Sequence, residues 1–282
     1  MSAVCVRVPA TTANLGPGFD CLGIAFQIYN VVTVQRGPGG VGDDFVQAAA
    51  DAFFRWAGCG VFDFQWKVTG NVPRSRGMGS SVTVRLGILH GLNELAGTPL
   101  CPEEVFEICA ELEGHPDNAA PAAFGGFTIA GAGVQLQRYR VGRELGFALL
   151  IPDFEVPTPE ARRVLPATLP FKDAVRSASN ACAIAGAFAS RDYVKLIGCF
   201  EDHLHQPYRE KLVPFLSPVI EAGMEAGALG GWLSGSGSTI ACVTLGDMDR
   251  VAAAMKAACP QEGARVVTTR ADNLGVRIRS LC

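Results

Sequence analysis

Apolar and polar positions alternate first over residues 4–8, where Val4, Val6 and Val8 fall on one side of a run that includes Arg7. That period predicts a short strand, ended by Pro9. Residues 10–20 (ATTANLGPGFD) are rich in Gly, Pro, Asn and Thr and predict a loop carrying Asn14 and Asp20. Strands are predicted at 22–26 and 29–35, followed by a glycine-rich turn over 37–42. Phe45, Ala49 and Ala52, with Phe53 and Trp56 beside them, keep a helical period over 44–56, and Gly58 is a stop signal. Alternation returns at Phe62, Phe64, Trp66 and Val68 as a strand. It delivers the chain into PRSRGMGSS at 73–81, after which Val82, Leu86 and Leu89 recur at i, i+4 and i+7. The stripe continues through Leu92 and Ala96 to Gly97, a helix about 27 Å long at 1.5 Å per residue.

Pro102 with Glu103 and Glu104 opens the next helix. Its stripe is Val105, Cys109 and Leu112, which leaves Glu103, Glu107 and Glu111 on the opposite face, so the period alone makes Glu107 a solvated acid. A strand over 147–151 follows the charged segment VGRELG, where a domain boundary is expected. The second half predicts helices near 173–190, 192–204 and 209–226, then strands at 231–233 and 239–244 joined by a Ser-Gly turn at 234–238. A helix over 247–258 and strands near 264–269 and 275–279 complete the chain. Helices interspersed with antiparallel-type strands make this an α+β protein.

The 282 residues are 49% hydrophobic and 18% charged, which predicts a sizeable core rather than disorder. A net charge of −3 gives no electrostatic case for nucleic acid or an anionic membrane, so an anionic substrate must be met by a few local arginines. Ten cysteines are scattered without C-x-x-C or zinc-finger spacing, which fits a reducing cytoplasm. No signal sequence precedes the strand at Val4. The longest small-apolar run, 178–189, contains Ser179 and Asn180 and is too short to span a bilayer.

Chemistry concentrates at 73–81. A flexible loop feeding a helix N-terminus offers free backbone N–H groups and the positive end of the dipole to an anion. Gly77 and Gly79 let the backbone approach a phosphate, and Ser80 and Ser81 add oxygens. The loop is neither the common P-loop, since no Gly-Lys-Ser/Thr follows, nor a dinucleotide fingerprint, whose third glycine would fall at Val82. The same residues also make an ordinary turn and N-cap. A second polar cluster, EGHPDN at 113–118, reads either as a site wall or as an Asx turn.

Three stretches, VPATTANLGPGFDCLG at 8–23, PRSRGMGSS at 73–81 and LSGSGST at 233–239, together resemble the galactokinase, homoserine kinase, mevalonate kinase and phosphomevalonate kinase superfamily. GHPDN at 114–118, TPEAR at 158–162 and HQPYREKLVP at 205–214 look most like its homoserine kinase branch. The resemblance implies a two-domain fold: a ribosomal-protein-S5-domain-2-like N-terminal domain over 1–143 and a ferredoxin-like α/β sandwich over 144–282. It implies ATP-dependent phosphorylation of the L-homoserine side-chain hydroxyl, Mg²⁺, and a homodimer. Pro73, Arg74, Ser75, Arg76, Gly77, Met78, Gly79, Ser80 and Ser81, with Val82 and Thr83, would wrap the ATP phosphates. Ser81 and Glu107 would hold the metal, which overrides the solvated reading of Glu107. Arg162 and Arg209 would take the substrate carboxylate, and Asp20 and Asp117 its ammonium group. Asn14 and His115 match other substrate-facing positions. Asp117, Asn118 and Thr158 would serve the reacting hydroxyl, with Asn118 the first choice to hold it and Asp117 orienting rather than acting as an obligatory base. A different small hydroxy acceptor such as L-threonine, or a non-catalytic nucleotide binder, are the alternatives. Two departures stand out: Val82, Val84 and Arg85 replace small residues of relatives, and Ser238 replaces a usual Pro. Arg85 either reaches the phosphates or is solvated.

Overall fold

The N-terminal alternation runs well past residue 8. A computed structural model of the chain describes every residue except 1–2, 39–41, 132 and 282, so part of the expected turn at 37–42 lies outside the described residues. In it β1 covers Ala3–Asn14 and β2 covers Gly18–Arg36, so 10–20 is mostly strand and 22–26 and 29–35 are one strand. Pro9 does not end β1. It pairs with Tyr29, and the register shifts before Thr11 meets Ala25, a bulge where the missing N–H is tolerated.

Helix α1 (Asp44–Ala57) is capped by Asp43, whose carboxylate accepts from the N–H groups of Phe45 and Val46, and it ends at Gly58 in a left-handed conformation. Strand β3 (Phe64–Gly70) pairs with β2. Helices α2 (Ser80–Leu95), α3 (Pro102–Glu113) and α4 (Ala119–Phe124) follow, then two short strands that the pattern did not predict, β4 (Phe127–Ile129) and β5 (Gln137–Tyr139). In α2 the predicted stripe is one side of a helix whose residues from Leu86 to Asn93 are all buried. Gly87 and Gly91 let it press against β2, where a Cβ on either would run into Val32 or Val34.

The second half is built from β6 (Gly146–Ile151), α5 (Thr158–Arg163), α6 (Phe171–Ser190), a 3-10 turn at Tyr193–Leu196, α7 (Gln206–Arg209), α8 (Leu216–Glu225), β7 (Gly230–Leu233), β8 (Ile240–Thr244), α9 (Met248–Ala258), β9 (Arg265–Arg270) and β10 (Arg277–Leu281). The helices expected at 192–204 and 209–226 are shorter than their periods. Gly198 at φ 79° breaks the first, and Pro214, which has no N–H to give back to Glu210 O, interrupts the second so that α8 starts at Leu216.

All strand pairings among the described residues are antiparallel. One sheet runs β10-β1-β2-β4-β5 with β3 also on β2, and the other runs β7-β8-β6-β9. The expected division at 143/144 separates β1–β5 from β6–β9, but β10 recrosses it to pair with β1. A shared apolar cluster joins the sheets. Leu15, Leu22, Ile24, Phe26 and Phe127 meet Phe147, Leu149, Phe188 and Trp232, with Phe127 stacked on Phe188 at 4.2 Å. No described helix is long and apolar enough to cross a membrane.

Candidate active site

A cleft of about 440 Å³ opens where the hairpin β1–β2, the loop before α2 and the turn after β7 converge. The three glycine-rich stretches are hydrogen-bonded to one another. Thr11 N–H donates to Met78 O, Thr239 N–H to Arg76 O, and Gly235 N–H to Ala13 O. Ser234 Oγ donates to Gly77 O at 2.6 Å. The glycines of the loop therefore have a packing reason as well as a ligand reason. Gly77 (φ 71°) lies against the Ser234 carbonyl and Gly79 (φ 63°) against Thr11 Oγ1, and neither place has room for a Cβ. Met78 is buried beneath them. Among the described residues no side chain caps the N-terminus of α2, whose N-cap is Gly79, so its first N–H groups are left to the cleft.

Not every residue expected around the phosphates reaches the cleft. Arg74, Ser75, Arg76, Gly77, Met78, Gly79, Ser80, Ser81 and Val82 line it, whereas Pro73 and Thr83 do not. Thr83 is fully buried, donates to Ser80 O at 2.7 Å and accepts from Asn30 Nδ2 at 2.8 Å. Arg76 is turned to the second sheet, donating to Pro152 O and pairing with Asp153 and Glu155 at 3.6 and 3.3 Å.

The carboxylate expected beside Ser81 is not the one found there. Glu107 is exposed on α3 and absent from the cleft lining. The carboxylate beside Ser81 is Glu113, at the last turn of α3, and Ser81 Oγ donates to its Oε2 at 2.9 Å. Six residues along a helix is 600°, so the two glutamates point in directions well apart. The polar run 113–118 carries the local signal, since its first residue is this acid. Arg85 is neither on the phosphates nor solvated. Its Nη1 donates to Glu113 Oε1 at 2.7 Å and to Leu112 O at 2.8 Å, and its guanidinium lies over Phe45 at 4.2 Å. Its Nε is buried with no hydrogen-bond partner among the described residues. Hard oxygens from Ser81 and Glu113 fit Mg²⁺, which keeps most of its sites for water and phosphate. No cluster of three or more His, Cys, Asp or Glu suited to a metal occurs among the described residues, and none is required for that ion.

At the other end of the cleft Asp20 and Arg162 form a two-point ion pair, at 3.0 and 2.8 Å. Arg209 is buried and donates to Ala161 O, Gly235 O and His205 Nδ1. Burial, and then the neighbouring Arg162 charge, pull its pKa down to about 10. The Phe19 ring lies 5.5 Å from the Arg162 guanidinium and 5.2 Å from that of Arg209, and stacks on His205. His205 donates through Nε2 to Gly16 O, and burial lowers its pKa to about 4 although Asp202 opposes the shift.

Asp117 Oδ1 accepts from the Asn118 backbone N–H at 2.8 Å and holds His115 Nδ1 at 3.1 Å, which raises the His115 pKa. Thr11 Oγ1 donates to Asn118 Oδ1 at 2.7 Å. Asn14 lines the cleft but is spent on structure. Its Oδ1 accepts from Asp20 N–H and its Nδ2 donates to Gly235 O. Thr158, at the start of α5, also lines the cleft. The sequence reading missed an apolar wall formed by Phe45, Val46, Trp66, Val68 and Val84 next to Asp43. The alternation of β3 put Trp66 and Val68 on one face, yet nothing local told which face met a ligand.

Comparison with known proteins agrees with this layout. The model for the GHMP kinases N terminal domain matches residues 44–126, and that for GHMP kinases C terminal matches 184–261. A homoserine kinase of Caldicellulosiruptor bescii is 36% identical over 84% of this chain and 83% of its own length. One from Halothermothrix orenii is 33% identical over 97% and 96%. The crystal structure of homoserine kinase from Cytophaga hutchinsonii superposes with a TM-score of 0.89 at 25% identity, covering 98% of this chain and 97% of that one. The Methanococcus jannaschii mevalonate kinase, at 13% identity and TM-score 0.71, shares the fold. Matched in both halves, and more than a third identical to a homoserine kinase over most of its length, the chain belongs to the GHMP kinases, in their homoserine kinase family.

Proposed function

We propose that the protein transfers the γ-phosphoryl group of Mg-ATP to the side-chain hydroxyl of L-homoserine, giving O-phospho-L-homoserine. The observation that carries this reading is that one cleft holds two complementary charge patterns. One is an uncapped helix N-terminus with Ser81 and Glu113. The other is an acid and two arginines, Asp20 with Arg162 and Arg209. An α-amino acid presents a carboxylate and an ammonium group on one carbon, and it can exchange the internal pair for two of its own. Arg162 is free to fork onto the carboxylate because it is half-exposed, while Arg209 adds a fixed positive charge behind it.

The apolar wall of Phe45, Trp66, Val68 and Val84 suits an adenine ring, and it lines the same cleft as the 74–82 loop and the Asp20, Arg162 and Arg209 group. Bound Mg²⁺, held by Ser81 and Glu113, would offset charge on the phosphate oxygens. The α2 N–H groups do the same from fixed positions. Phosphoryl transfer passes through a loose transition state that asks mainly for alignment, so no strong base is required. Asn118, fixed by Thr11, and Asp117, fixed against His115, are suited to aim the hydroxyl, and Thr158 lines the same cleft. A cytoplasmic homodimer belongs to the same reading. Free thiols at the described cysteines suit that compartment, and light scattering would check the dimer.

The test is a coupled ADP-release assay with Mg-ATP over hydroxy amino acids. Turnover is expected with L-homoserine well above L-threonine and L-serine. Robust turnover of another alcohol with none of homoserine overturns the assignment. Nucleotide binding without turnover of any acceptor would make the protein a binder only.

A further inference from the structure

Arg85 approaches the metal site from behind Glu113. Its Nη1 takes Oε1 of that carboxylate at 2.7 Å and Leu112 O at 2.8 Å, while Ser81 faces the other oxygen, Oε2. The guanidinium rests on Phe45, and both side chains of the pair are nearly closed to solvent, at 14% and 11% exposure. A carboxylate held this way cannot rotate to offer both oxygens to one ion.

From this geometry, and resting on the Ser81–Glu113 metal reading above, we infer that Arg85 is a positioning residue that makes Glu113 a one-oxygen ligand and so sets the preference of the site for Mg²⁺ over Ca²⁺. The chemistry separates the two ions cleanly. Mg²⁺ demands a small octahedral shell and is served by single carboxylate oxygens and water. Ca²⁺ takes more oxygens at longer distances and favours two-oxygen carboxylates. The clamped cation also removes net negative charge, which the more ligand-hungry Ca²⁺ needs from its site. Arg85 itself does not line the cleft, so its effect passes through Glu113.

The test is calorimetric titration of ADP into the full chain with Mg²⁺ or with Ca²⁺ present, which requires no turnover. The wild-type protein is expected to bind ADP more tightly with Mg²⁺. In Arg85→Met, which keeps packing on Phe45 but frees Oε1, the Mg²⁺/Ca²⁺ preference falls by about tenfold, the worth of one charge-assisted hydrogen bond. Most of the change is a gain for Ca²⁺. Arg85→Lys keeps a donor on Oε1 and lies between the two. An unchanged preference in Arg85→Met overturns the inference, and Arg85→Leu serves if the Met variant does not fold. Glu113→Gln is the separate check on the site: it erases the metal dependence of ADP binding. If that dependence survives, the metal reading itself falls, and the role of Arg85 with it.

Discussion

Arg162 and Arg209 carry the same charge to one end of the cleft but are held there differently, and their loss has different consequences. Among the described residues Arg162 forms its ion pair with Asp20 and is partly exposed, so Arg162→Ala raises KM for homoserine roughly 10- to 100-fold, the range of one charge-assisted bond, and leaves Tm close to the wild type. Arg209→Ala takes the donor from the Ala161 carbonyl and from His205 Nδ1, while Gly235 O keeps Asn14 Nδ2, and it costs roughly 3 kcal/mol of stability besides its effect on KM. Thermal melts beside steady-state kinetics separate the two. Histidines set the acid limit. Burial holds both His90 and His205 at about 4, below the ordinary 6.5, so the folded state favours their neutral form. The unfolded chain then binds more protons between those values. Stability is full above about pH 6.5 and is lost as pH falls toward 4, by on the order of 3 kcal/mol per histidine. His90→Leu is expected to flatten the decline of Tm over that window; an equally steep decline counts against it.

The decisive element is the loop before α2, which works because other elements grip it. β1 takes its Met78 carbonyl, and the turn after β7 takes Arg76 and Gly77. Gly77→Ala puts a Cβ into the Ser234 carbonyl at a φ that an L residue rarely adopts. Its expected result is a Tm loss and a rise in KM for ATP with KM for homoserine little moved. A uniform loss of both affinities would mean that the loop serves the whole cleft instead. The sequence exposed this loop through composition and the helix after it. It did not expose Gly77's contact, because Ser234 is distant in the chain and closeness of that kind leaves no local period. The same limit explains Glu107. Helical pattern and motif offset pointed to an acid on α3, but only packing of α3 against α2 decides which turn faces Ser81.

At the scale of the molecule, the two sheets do not stand alone. Phe26, Phe127, Phe147, Phe188 and Trp232 share one cluster, and β10 returns to flank β1. Unfolding is therefore expected as a single transition, with near-ultraviolet circular dichroism and tryptophan fluorescence coinciding. A fragment ending at residue 143 is expected not to fold, since it lacks β10 and exposes its half of the shared cluster. Two separated transitions, or a folded fragment by dispersed amide NMR signals, would count against this.

What the amino-acid order determined by itself was local and chemical. Period and caps gave α1, α2, α3, α9 and most strands, because those signals lie within a few residues of one another. Three ordered motifs gave the family and most of the cleft. Tertiary structure alone decided the long β1–β2 hairpin, whose Pro9 is absorbed by a bulge set by the partner strand. It also decided the diversion of Asn14 and Thr83 to structural bonds. Above all it decided that Glu113, not Glu107, meets Ser81 with Arg85 behind it. A side chain's neighbours across the fold depend on how whole helices settle against each other, and no stretch of sequence encodes that by its own spacing.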